Sequence, residues 1–96
     1  MDRLCDHNTA VGTYSLDANT TTSYQTAIGY AALVAQTGTS GEVGNTAVGY
    51  KAGNVLTGGT NEGDDNVFIG FQAGLTTVDV NDTVIIGSGA GGANMT

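Results

Sequence analysis

The sequence predicts an all-β chain, a β-solenoid in which one short phrase is written about five times. Three observations predict it. A glycine recurs as Gly12, Gly29, Gly49, Gly70 and Gly87, at intervals of 17, 20, 21 and 17 residues, with matching residues on both sides. The core formers are Val, Ile and Ala, and no stretch places apolar residues at i, i+3, i+4 and i+7 through two helical turns. Glycine supplies 16 of the 96 residues and proline none, so backbone geometry is specified at many positions.

The units follow one another along the chain. Residues 1–7, which include "RLCDH", precede the first unit and read as a flexible N-terminal segment. The first unit, "NTAVGTYSL", lacks the aromatic after its glycine that Tyr30, Tyr50 and Phe71 supply in "QTAIGYAAL", "NTAVGYKAG" and "NVFIGFQAG". The fifth, "TVIIGSGAG", has lost the Asn/Thr start, as units that cap a stack often do. Residues 8–91 form the repeat domain and 92–96 a tail. A unit this short excludes the common helical repeats, which need about 33 residues or more. Each unit is expected to be one coil: a strand such as "NTAVG", a turn at the glycine, a second extended piece such as "YKAG", and a return loop such as "NVLTGGTNEGDD" that absorbs differences in length.

Alternation along the strand sorts the columns. Val11, Ile28, Val48, Ile69 and Ile86 share a face with Thr9, Thr26, Thr46, Val67 and Val84, and this face is expected to line the roll interior. Ala10, Ala27, Ala47, Phe68 and Ile85 lie opposite, flanked by Asn8, Gln25, Asn45 and Asn66. A strand apolar on both faces is normally covered on both, and a narrow coil covers one. The Ala10 column is therefore expected to be a chain–chain contact in a homo-oligomer, a trimer first; the alternative is one wide solenoid that encloses both faces. The recurring Asn and Gln suit a hydrogen-bonded ladder between coils. Tyr30, Tyr50 and Phe71 suit a stacked ladder, or alternatively platforms for sugars.

Nine acidic residues against Arg3 and Lys51 give a net charge of −7, which removes the electrostatic basis for nucleic-acid binding. No apolar run approaches the ~18 residues of a membrane span, and no signal peptide opens the chain. Cys5 is the only cysteine, which precludes an intrachain disulfide. His7 beside Asp6 and Cys5 lacks a held geometry, so neither a catalytic site nor an enzyme is expected, and no cofactor or metal. A calcium ion on Glu62, Asp64 and Asp65 is conceivable, but "NEGDDN" matches no calcium-loop spacing and reads better as a solvated acidic loop, as do Asp79 and Asp82. "GSGAGG" imitates a phosphate loop without the helix that should follow. Asn19, Asn81 and Asn94 each begin N-x-S/T and are candidate glycosylation acceptors.

The phrases "QTAIGYAAL", "NTAVGYKAG" and "NVFIGFQAG" resemble the head repeats of YadA-like trimeric autotransporter adhesins and the similar repeats of phage and viral tail fibres. The resemblance spans residues 8–91. It implies a left-handed parallel β-roll, three chains side by side, and attachment to surfaces. The expected function is a structural fibre or adhesin-head module, extracellular, on a cell surface or on a virion, whose partners are itself and a host receptor or glycan. Two alternatives stand beside it: a subunit of a self-assembling extracellular filament, and an ice-binding β-solenoid presenting ranks of Thr. The inward placement of the Thr9 column argues against the second.

Overall fold

A computed structural model describes residues 7–19, 22–36, 41–56, 65–76 and 80–91. The N-terminal segment before His7, Cys5, Glu62, Asp64, Asp79, Asn94 and the tail 92–96 lie outside the described residues. The described chain is all-β, with strands β1 (Thr9–Val11), β2 (Thr22–Ser23), β3 (Thr26–Ile28), β4 (Gly41–Glu42), β5 (Thr46–Val48), β6 (Val67–Ile69) and β7 (Val84–Ile86). Five of them form one parallel sheet in the order β1-β3-β5-β6-β7, and these are the five copies of the phrase. Ala27 pairs with Ala10 and Ala47, and Phe68 with Ala47 and Ile85, so the three strand columns of the sequence are columns in space. Parallel neighbours of this kind require the chain to complete a circuit between strands, which makes the fold a β-solenoid. β2 and β4 pair in parallel in the return segments, Thr22 with Gly41 and Ser23 with Glu42.

Each strand of the large sheet is only three residues long because a glycine ends it. At Gly49 the backbone has φ +131°, and a Cβ placed there would lie 2.5 Å from the carbonyl oxygen of Gly70. Both facts demand glycine: the conformation excludes other residues, and the next strand's backbone occupies the space a side chain would fill.

The segment after the glycine differs from the expected second extended piece. It is a run of turns: Ala52 N–H donates to Gly49 O, Asn54 N–H to Lys51 O, and Leu56 N–H to Gly53 O. Lys51 and Gly53 sit at the third position of the first two turns with φ +55° and +60°, the type II pattern. The same alternation falls at Ala31 and Leu33, and at Gln72 and Gly74. A non-glycine residue in this conformation costs roughly 1 kcal/mol. The cost is offset because turning the chain aims its amides at the neighbouring units: Lys51 N–H reaches Tyr30 O and Gln72 N–H reaches Tyr50 O in the preceding unit, and Leu33 N–H reaches Ala52 O in the next.

The strand faces are reversed from the expectation. Ala27, Ala47, Phe68 and Ile85 are buried inside the roll, whereas Val11, Ile28, Ile69 and Ile86 are exposed and Val48 is half-buried. Ala10 points the same way as Ala27 but is exposed, since no described strand precedes it. The physical reason is the narrowness of the roll. Facing the strand is a wall carrying Ala32, Ala52 and Ala73, all fully buried, and little room is left between. A large residue fits inward only where the wall carries a glycine, as Gly74 does for Phe68 and Gly91 for Ile85.

Within that narrow interior, volume is matched unit by unit. Where the strand supplies Ala27, the wall supplies Leu33; where it supplies Phe68 or Ile85, the wall supplies Gly74 or Gly91. A Cβ on Gly74 would lie 2.5 Å from Cδ1 of Phe68, and one on Gly91 would lie 2.7 Å from Cδ1 of Ile85. The Ala47 unit has Gly53 opposite, and its space is taken by neighbours: a Cβ on Gly53 would lie 2.9 Å from both Leu33 and Phe68. Leu16 and Leu56 complete the core.

Candidate interaction surfaces

Three columns carry the chemistry of the solenoid. The innermost is an amide ladder four residues before each glycine. Gln25 N–H donates to Asn8 Oδ1 (2.9 Å), Asn45 Nδ2 to Gln25 Oε1 (3.2 Å), Asn66 N–H to Asn45 Oδ1 (3.0 Å), and Thr83 N–H to Asn66 Oδ1 (3.0 Å). Asn66 Nδ2 also donates to Val80 O (2.8 Å). Gln25, Asn45 and Asn66 are fully buried, so these bonds are made where unmade ones would be most costly. The ladder sets register between units and offers nothing to a ligand.

The second column is the outer face of the large sheet. Thr9, Val11, Thr26, Ile28, Thr46, Val48, Val67, Ile69, Val84 and Ile86 all point away from the roll. Val84 and Ile86 remain 67% and 62% exposed, and Ile28 and Ile69 are 39% and 37% exposed. The face is β-branched throughout and uncharged, with threonine in its first three strands and valine in the last two. On this face Val11, Ile28, Ile69, Val84 and Ile86 form an exposed apolar row that crosses the sheet.

The third column follows the glycines around the corner from that face. The ring of Tyr50 stacks on Tyr30 (centroids 5.4 Å apart, planes 13° apart) and on Phe71 (5.1 Å, 13°). Tyr14 meets Tyr30 edge to face at 5.6 Å. Stacking rings one per unit consumes the faces of Tyr30 and Tyr50, the surfaces a sugar would need, and leaves their edges and hydroxyls outward. The ammonium of Lys51 lies 5.3 Å from the Tyr50 ring centroid, within cation–π range.

One column was not visible to sequence reasoning. Five residues before each glycine stand His7, Tyr24, Gly44, Asp65 and Asp82, all with φ between 51° and 66°. Gly, Asp and His are the types enriched in that conformation, which was the available signal; Tyr24 obscured it. His7 is exposed and stacks on Tyr24 at 5.1 Å. Asp65 and Asp82 are exposed, and no group of three or more metal-ligating side chains occurs among the described residues. Asn81 is exposed and its carbonyl accepts a bond from Thr83 Oγ1 (2.9 Å), while Asn19 is half-buried. No helix is long and apolar enough to cross a membrane among the described residues.

No protein-family model, curated protein or solved structure matches the chain.

Proposed function

We propose that the chain is a non-enzymatic structural module: a left-handed β-roll of about five coils that assembles as a homotrimer and serves as part of an attachment fibre or adhesin head, outside the cell or on a virion. The observation that carries this reading is the outer sheet face, a straight strip of Val, Ile and Thr with no charge on it. Covering half-exposed Val and Ile is worth on the order of 1 kcal/mol for each residue covered. A further copy of the same chain is the partner that presents a complementary strip in matching register, and closed rotational symmetry lets every copy bury it. The residues at the contact are then the Val11 and Thr9 columns, rather than the Ala10 column. A receptor or glycan is the further partner of such a module.

The test is the mass in solution at micromolar concentration, measured by sedimentation equilibrium for the wild type and for the double variant Ile28→Glu, Ile69→Glu. Three times the chain mass, falling to the single-chain mass in the variant, is the expected result; a monomeric wild type overturns the proposal. A broad distribution of long particles under electron microscopy would favour the filament.

A second reading is favoured by one observation. Thr9, Thr26 and Thr46 point outward in T-x-V and T-x-I ranks on a parallel sheet, the arrangement an ice-binding solenoid would use, and Val67 and Val84 interrupt it. Thermal hysteresis in the wild type that disappears in Thr26→Leu, Thr46→Leu would establish that reading; freezing that follows solute concentration alone would remove it.

A further inference from the structure

We propose that Tyr30 and Tyr50 are an oxidative crosslinking pair, joined within one chain as dityrosine when the protein meets hydrogen peroxide and a haem peroxidase. The two rings are stacked at 5.4 Å with planes 13° apart, and they are 42% and 39% exposed, so an oxidant has access to both. Their equivalent positions after Gly29 and Gly49 place the same ring atoms in neighbouring units side by side. The two phenol rings therefore lie within a few ångströms of one another on consecutive units, and coupling through their ortho carbons requires only side-chain rotation. No other tyrosine pair is arranged in this way: Tyr14 meets Tyr30 edge-on at 78°, Tyr24 stacks on His7, and the next ring beyond Tyr50 is Phe71, which has no phenol to oxidise.

Each phenol gives up one electron and its hydroxyl proton, and the two electrons and two protons reduce one hydrogen peroxide to two waters. The phenoxyl radicals combine to form one carbon–carbon bond between ortho carbons. The two hydrogens displaced from those carbons move to the oxygens, restoring both hydroxyls. The product has lost two hydrogens and closes a loop of 20 residues between adjacent units, a staple that a chain with a single cysteine cannot make as an internal disulfide.

The experiment treats the purified chain with peroxidase and hydrogen peroxide, follows dityrosine emission, and maps the crosslinked peptides of the single-chain product by mass spectrometry. The expected product joins Tyr30 to Tyr50. Emission falls roughly tenfold in Y50F and in Y30F, each of which keeps the stacked ring and so the fold, and it is unchanged in Y24F. Absence of dityrosine in the single-chain product, or a yield through Tyr14 or Tyr24 equal to that through Tyr50, overturns the proposal. The reaction needs only the stack, so it is independent of whether the chain trimerises.

Discussion

Substituting Gly49 by alanine tests whether the glycine column is the element that lets the strands stack. Two costs add. The backbone there has φ +131°, outside the range that alanine adopts, a strain of about 1–3 kcal/mol. The new methyl would also sit 2.5 Å from the Gly70 carbonyl oxygen, and relieving that overlap by moving backbone costs about 1–3 kcal/mol more. The total, about 2–6 kcal/mol, is a large share of the roughly 5–15 kcal/mol expected for a domain of this size. The comparison is Gly89→Ala. Gly89 has φ +67°, nothing lies within 4 Å of its would-be Cβ, and its column already accepts Ala31, Lys51 and Gln72, so the cost is about 1 kcal/mol. Urea unfolding followed by circular dichroism measures both. If Gly49→Ala unfolds within about 0.5 kcal/mol of Gly89→Ala, the argument from close backbone approach is wrong.

Further predictions concern the interior. Asn45→Ala removes the donor to Gln25 Oε1 and the acceptor for Asn66 N–H in a fully buried ladder, and should cost about 2–4 kcal/mol by the same urea measurement. Phe68→Ala should cost about 3–5 kcal/mol through the cavity it leaves. Gly74→Leu alone should be destabilising because a Cβ there meets the Phe68 ring. Combined, Phe68→Ala with Gly74→Leu recreates the Ala27 and Leu33 arrangement, and the double variant should be more stable than the sum of the two losses by at least about 1 kcal/mol. Strict additivity in that cycle would show that the volume matching across the roll is incidental. On the outer face, Ile86→Ser should change the stability of an isolated chain by less than about 0.5 kcal/mol, since Ile86 is 62% exposed there.

The repeat, the parallel stacking and the amide ladder were legible because a solenoid turns sequence columns into spatial columns, and five copies make each column visible. The direction of the faces was not. Alternation states which residues share a face and leaves open which face is inside. The rule that larger apolar residues go inward pointed to Val48 and Ile69 and away from Ala47. It failed because the opposite wall, built from Ala32, Ala52 and Ala73, stands close and admits a large inward residue only where a glycine lies opposite, as for Phe68 and Ile85. Two clues in the sequence bear on the choice. Asn45 shares a face with Ala47, and a recurring amide in a ladder is better shielded from water than exposed to it. Leu33 also gives way to Gly74 where Ala27 gives way to Phe68, a size exchange that only residues facing one another across a core would need. The turns after the glycine were hidden for a different reason. "YKAG" contains nothing typical of a turn at Lys51, and its left-handed conformation there is imposed by hydrogen bonds to the preceding unit.

The amide ladder joins each unit to the next, across 17, 20, 21 and 17 residues in turn. Its register survives a change of four residues in the length of the path between rungs. A gene encoding such a chain can therefore gain or lose a whole unit by duplication or excision, and the new neighbours will find the same donors and acceptors waiting. A single codon added between Asn45 and Gly49 has no such freedom, since it turns every later side chain of that strand to the wrong side. Length can drift in the loops and in the number of units, while the phrase itself keeps its length and register.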